Sequence, residues 1–286
     1  MDGFLVVDKE KGFTSFDVCN KIKHKFYNSH VGHTGTLDPN ATGVLVVAVG
    51  KACKTLNLME EKDKEYLCEI EFGRSYDTID PTGKLLSESD KEVKIEDIEK
   101  AIDKLKLATT QLPPKFSALK VNGKRAYDLA RSGKEFELEK RPIKIFDISV
   151  ASPLTKKDNC YYISIKLKVS KGFYVRSFVR DLAKMLNVDA NMFNLCRLSS
   201  GVFNIDKAKK LDELTDADFI SVSDAFSYLP RVEFRPYLLK MIQNGSPLDE
   251  RNCKIETPFV AVIDSKEIAL YNITKEKYKY RFEALL

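Results

Sequence analysis

The sequence predicts a fold of the α+β (mixed α/β) class, because strand-like apolar runs alternate with segments of helical period and a single basic stretch breaks that rhythm. At the N-terminus, Gly3 to Asp8 (GFLVVD) is a continuous apolar run of strand length. Thr14-x-x-Asp17 then forms a capping box ahead of Val18, Ile22 and Phe26, which recur at helical spacing. TGVLVVAVG, residues 42–50, is a second apolar run, bounded by glycines. Tyr66, Cys68, Ile70 and Phe72 alternate with Leu67, Glu69 and Glu71, the period of a strand with one buried face. Ile95, Ile98, Ile102 and Leu105 mark an amphipathic helix, and Ile163, Ile165, Leu167 and Val169 a further half-buried strand. From Val175, the positions Val179, Leu182 and Leu186 follow a helix whose first turns carry Arg176 and Arg180 on one face.

The stretch TQLPPKFSALKVNGKRAYDLARSGKEF interrupts the pattern with a Pro-Pro break, an Asn-Gly turn and a Gly stop, and is expected to be an inserted arm. Between Lys115 and Lys144 there are nine Lys or Arg against four Asp or Glu, so the arm carries the whole net charge of +5 and the rest of the chain sums to zero. Such a segment is either a solvated hairpin or an arm that grips phosphates. A second break near Pro230 and Pro236 precedes about fifty residues with an expected hairpin: Phe259 to Ile263, a turn at Asp264-Ser265-Lys266, then Ile268 to Ile273. Domains at 1–228 and 229–286 follow, the second small enough that its core is marginal and therefore expected to pack on the first.

At 286 residues with 43% hydrophobic content, the chain is long enough for this large-and-small division. No stretch approaches the roughly 18 apolar residues of a membrane span, and MDGFLVVDKEKG lacks the apolar run of a signal peptide, so a cytoplasmic location is expected. Six scattered cysteines without a CxxC pair read as buried thiols, and three histidines without cysteine partners at ligand spacing predict no metal site.

The densest special geometry is VGHTGTLDPNATG, residues 31–43, with three glycines, one proline, His33 and Asp38. Pro39 biases Asp38 toward extended backbone, and the glycines permit turns or a close approach. Taken alone, the ordinary reading is a turn whose aspartate caps neighbouring amides. A Walker A loop is excluded, since Gly43 lies seven residues before Gly50 where five are required and Ala52 stands at the Ser/Thr position. GxGxxG, HExxH and GxSxG strings are absent.

The string GHTGTLDPNATGVLVVAVGKACK resembles the signature of the TruB family of tRNA pseudouridine synthases. DKEKGFTSFDV, KEYLCEIEFGRSYDTID, PPKFSALKVNGKRAYDLARSG, GFYVRSFVRDL and LCRLSSG resemble that family's remaining motifs in order, over about residues 3–203. The resemblance implies a pseudouridine synthase fold with a mixed, mainly antiparallel sheet, a thumb inserted at about 113–145 and a small PUA-like C-terminal domain. It also implies conversion of uridine 55 in the T loop of tRNA to pseudouridine by base flipping, with no cofactor, guide RNA or obligate protein partner, in a monomer, and allows a tRNA-folding role beside catalysis. Carried over by motif, Asp38 is the catalytic carboxylate, His33 takes the place of the extruded nucleotide and Tyr66 stacks on the target base. Tyr174 and Arg176 match a YxR motif in which the arginine pairs with Asp38, and Leu195 lines the pocket. An arginine beside a carboxylate favours its ionised, oriented form, as nucleophilic chemistry requires. Glu10, Cys53, Tyr76 and Cys196 depart from the family pattern without removing any of these groups.

Two rival readings fit parts of the sequence. A guide-RNA-dependent synthase similar to dyskerin would lack the thumb segment, and a non-catalytic RNA-binding relative would not need Asp38, Tyr66 and Arg176 together.

Overall fold

The computed structural model describes residues 2–60, 63–121 and 123–286. In chain order its principal elements are β1 (Gly3–Lys9), α1 (Ser15–Lys25), β2 (Val31–Thr34), β3 (Thr42–Val49), β4 (Lys64–Phe72), α2 (Ile95–Leu105), β5 (Ile145–Val150), β6 (Cys160–Val169), α3 (Val175–Leu186) and β7 (Ala190–Ser200). A separate run supplies β8 (Arg231–Glu233), β9 (Phe259–Ile263), β10 (Lys266–Ile273) and β11 (Tyr280–Leu285). The main sheet runs β1-β3-β7-β4-β6-β5, with β2 beside β3, and is antiparallel except where β7 meets β3. The mixed, mainly antiparallel architecture expected from the sequence is therefore present.

The two kinds of strand pattern have a common cause in what covers each face. Leu5, Val7, Leu45, Val47 and Val49 pack into the core beneath α1, α2 and α3. Their neighbours Phe4, Val6, Val44, Val46 and Ala48 point the other way into a second buried cluster, which they share with Ala52, Leu58, Phe203 and Phe226 and with Val260, Val262 and Leu270 of β9 and β10. With both faces covered, β1 and β3 need apolar residues throughout. Strand β6 is covered on one face only, so Lys166 and Lys168 alternate outward between buried Ile165, Leu167 and Val169.

Strands β8 to β11 form a second, four-stranded sheet around an aromatic cluster in which Phe259 stacks on Tyr271 at 5.5 Å between ring centroids and meets Tyr280 edge-on at 5.1 Å. The expected turn is shorter than the sequence suggested. Asp264 and Ser265, at φ +50° and +62°, make it alone, and Lys266 already pairs with Ile263. Two successive left-handed residues match the twist of the flanking strands, so the hairpin closes in two residues rather than three.

The arm leaves the body at Thr110–Gln111, which pairs antiparallel with its return segment Arg141–Pro142. Between these roots lie a short ribbon, Lys120–Val121 with Lys124–Arg125, and the helix Ala126–Arg131. Asn122 of the expected Asn-Gly turn lies outside the described residues. Of the six cysteines, Cys19, Cys68 and Cys160 are buried as expected, but Cys53, Cys196 and Cys253 are only half-buried. Cys53 lies in the short helical turn Gly50–Thr55, Cys196 on the less buried face of β7, and Cys253 in the loop before β9. No helix among the described residues is long and apolar enough to cross a membrane.

One glycine fixes how the Asp38 loop joins the sheet. Gly43 has φ +95°, and a Cβ there would lie 2.3 Å from the carbonyl oxygen of Arg197. Only glycine allows β3 to approach β7 so closely. Gly43→Ala is expected to lower stability by about 2–3 kcal/mol and the melting temperature by roughly 5–10 °C, measured by thermal unfolding followed by circular dichroism.

Candidate active site

Asp38 lies in the loop joining β2 to β3, and the backbone on either side of it is pinned by the N-terminal segment. The Ser15 hydroxyl at the start of α1 accepts from the Leu37 amide at 2.9 Å and donates to the Leu37 carbonyl at 3.2 Å. The Pro39 carbonyl accepts from the Gly12 amide at 2.8 Å and from Lys9 Nζ at 3.4 Å. Lys9 Nζ also donates to the carbonyls of Phe13 at 2.6 Å and Glu10 at 3.0 Å, so its three protons tie both loops together.

The Asp38 side chain faces α3. Arg176 Nε lies 2.9 Å from Asp38 Oδ2, and Arg176 Nη2 donates to Oδ1 at 3.0 Å, a two-point grip that sets the carboxylate plane. The capping alternative therefore does not hold for the side chain; it is the backbone carbonyl of Asp38 that accepts, from the Ala41 amide. Arg176 is fixed in turn by two carbonyls, Thr78 through Nη1 at 3.3 Å and Phe116 through Nη2 at 3.0 Å. Its side chain is 8% exposed while that of Asp38 is 34% exposed, so the cation is built into the wall and the carboxylate stays open to a ligand.

Tyr174 sits at the N-cap of α3. Burial raises the pKa of its hydroxyl; Arg141 and Arg176 oppose this and Asp38 adds to it, which places the phenol in the same electrostatic site. Tyr66 on β4 and Leu195 on β7 are 8% exposed and belong, with Leu37, to one buried cluster. Tyr66 is in register with Arg197 of β7 and Leu167 of β6. The structure thus joins Asp38 and Arg176 directly, with Tyr174 within their electrostatic reach, and buries Tyr66 and Leu195 in the core cluster that includes Leu37. His33 is half-buried on β2 in register with Val47.

Two cations escaped the motif analysis. Arg197 is 1% exposed, its Nε donating to the Val44 carbonyl at 2.7 Å and its Nη2 to the Gly35 carbonyl at 3.0 Å. Lys9 is equally buried; Arg197 is a lone cation between Cys196 and Leu198, a signal that could have found it, whereas Lys9 stands in the charged run Asp8-Lys9-Glu10-Lys11 and has no such signal. Beyond the Asp38 contact, Arg180 and Lys184 of α3 line a cavity of about 410 Å³ with Ser75, Tyr76, Ile79 and Asp189. Among the described residues no three His, Cys, Asp or Glu side chains gather as a metal site would require.

A mainly antiparallel sheet thus carries a loop-borne carboxylate gripped by a buried arginine. Solved structures agree on the fold: the chain superposes on one in a Cbf5-Nop10-Gar1 complex with a TM-score of 0.71 at 20% identity, covering 99% of this chain and 83% of that one. A structure of an H/ACA RNP bound to a substrate RNA containing 2′-deoxyuridine gives 0.66, also at 20% identity, over 99% of this chain and 83% of that chain. In sequence, residues 23–175 match the family described as TruB family pseudouridylate synthase, N-terminal domain. The tRNA pseudouridine synthase B of Acholeplasma laidlawii is 35% identical over 283 residues, 99% of each chain. That of Ureaplasma urealyticum is 43% identical over 213 residues, 74% of this chain and 92% of the relative. The chain belongs to the TruB family of pseudouridine synthases.

Burial holds the Lys9 pKa down from 10.5 to about 8, with Asp38 opposing the shift and Arg197 adding to it. Below about 8 both folded and unfolded chains carry the proton; between 8 and 10.5 the unfolded chain binds more, so stability contributed by this site rises with pH across that window. Urea unfolding of the wild type and Lys9→Met at pH 7, 8, 9 and 10 is expected to show the difference moving in favour of the wild type as pH rises. A constant difference contradicts that account.

Proposed function

We propose that this pseudouridine synthase acts on tRNA, isomerising uridine 55 of the T loop to pseudouridine with Asp38 as the catalytic carboxylate. The observation that carries the reading is the Asp38–Arg176 contact, an oriented carboxylate one-third open at the edge of an apolar wall. The relatives named tRNA pseudouridine synthase B along nearly the full chain supply the RNA class.

The reaction breaks the bond from uracil N1 to ribose C1′, turns the base and joins C5 to C1′, after which the C5 proton leaves. Atoms and electrons balance within the nucleotide. Arg176 keeps Asp38 aligned toward the reacting nucleotide, and Tyr66, stacked on the uracil, is placed to receive the C5 proton. Leu195 and Leu37 exclude water beside it. A uridine stacked in a loop reaches this carboxylate only after extrusion, at a cost of about a few kcal/mol, offset by His33 filling the vacated position.

The basic arm is the second support. Tyr127 on the arm helix has the guanidinium groups of Arg125 and Arg131 at 6.0 and 5.7 Å from its ring, a surface of charge and π-face suited to RNA phosphates and splayed bases. Residues 1–228 then form the catalytic domain, with a thumb at 113–145 that closes over the T loop, and 229–286 a PUA-like unit. The chain works as a monomer in the cytoplasm, without guide RNA, cofactor or protein partner, and its RNA grip also serves tRNA folding.

A transcribed T-arm stem-loop carrying tritium at uracil C5 tests the reading with no other macromolecule present. Wild type is expected to release tritium, while Asp38→Asn binds the RNA and releases none; binding without release by the wild type would leave only an RNA-binding protein. Arg176→Lys removes the planar two-point grip and is expected to lower single-turnover release by about 100-fold.

A further inference from the structure

The arm's two roots and the start of α3 meet at one buried side chain that no motif singled out. Gln111, 6% exposed, accepts from the Tyr174 amide through Oε1 at 2.8 Å and donates through Nε2 to the Tyr174 carbonyl at 3.1 Å. The side-chain amide thus behaves as a strand backbone would, bonding both main-chain groups of a single residue. In the root ribbon Gln111 pairs with Arg141, whose charge also acts on the Tyr174 hydroxyl, so both ends of the arm converge on Tyr174.

The next residues of the arm continue the attachment. The Leu112 carbonyl accepts from Ser177 Oγ at 2.8 Å and from Arg180 Nη2 at 2.9 Å, and the Phe116 carbonyl accepts from the same Arg176 Nη2 that holds Asp38 Oδ1. A displacement of the arm root consequently cannot leave the first turns of α3 unchanged.

We propose that Gln111 is a positioning residue for the isomerisation, locking the arm root to Tyr174 so that an RNA-gripping posture of the arm and the aligned posture of Arg176 and Asp38 form together. This rests on the reading of the chain as a pseudouridine synthase that grips RNA with its arm. The clamp acts on the rate at which bound uridine reacts, because Gln111 touches the backbone that carries Tyr174 and Arg176 rather than the substrate.

The test uses the full-length protein and the tritiated T-arm stem-loop. Gln111→Ala is expected to slow single-turnover release at saturating RNA by at least about tenfold, with RNA affinity changed less than about twofold. Gln111→Glu supplies a second arm: ionised, it sets an acceptor against the Tyr174 carbonyl, whereas protonated it offers one donor and one acceptor in the geometry of the amide. Its rate relative to wild type at the same pH is therefore expected to recover as pH falls from about 8 to about 5.5, burial raising the pKa of the new carboxyl group. That pH dependence also decides the case if Gln111→Ala does not fold.

Hydrogen exchange at the Tyr174 amide reads the clamp without turnover and should be faster in Gln111→Ala than in wild type. Wild-type rates in both variants at saturating RNA, with only a lowered melting temperature, would show Gln111 to be a packing residue and overturn the proposal. Unchanged exchange at Tyr174 would overturn it as well. Absence of tritium release by the wild type strikes the enzymatic reading instead, and the exchange measurement then still decides whether the clamp exists.

Discussion

The guanidinium of Arg176 is the joint on which the rest of the site depends. Its planar fork reaches Asp38 from the loop after β2, Thr78 from the turn after β4 and Phe116 from the arm, three segments far apart in the chain. A buried cation requires polar partners, and here two carbonyl dipoles and one carboxylate supply them. The same requirement aligns the carboxylate, so the stability of the buried arginine and the orientation of Asp38 have one physical origin. A lysine, with a single point of charge, would meet neither demand.

Support for Asp38 from the opposite side is equally indirect. Ser15 holds Leu37, while Gly12 and Lys9 hold Pro39, leaving the intervening aspartate with little freedom of its own. Lys9 and Arg197 place two further positive charges behind the loop, each bonded to peptide carbonyls rather than to the carboxylate. Among the described residues the Asp38 carboxylate is bonded to Arg176, and its side chain stays one-third exposed.

Burial on both faces of β1 and β3 links the two sheets. The small second sheet packs Val260, Val262 and Leu270 onto the face of the main sheet opposite α1 and α3, which gives its own modest core a larger neighbour and stiffens the strands flanking the Asp38 loop. The arm root is tied to α3 by hydrogen bonds at Gln111, Leu112 and Phe116.

Much of this was legible in the sequence. Period-two and apolar-run patterns identified β1, β3, β4 and β6 and the capping box placed α1, because strand and helix periods are local properties of the chain; Asp38, Tyr66, Tyr174, Arg176 and Leu195 were named through the motif resemblance, of which the structure shows the Asp38–Arg176 contact. Tertiary structure alone decided that β3 is apolar throughout because a second sheet covers it, that the hairpin at Asp264 closes in two residues, and that three cysteines stay half-exposed. It alone revealed Lys9, Ser15, Gln111 and Arg197, whose roles consist of hydrogen bonds to carbonyls and amides distant in sequence. Lys9, Ser15 and Arg197 stand inside motif strings, but the partners of such bonds cannot be read from those strings, since a backbone carbonyl is the same in every residue that presents it.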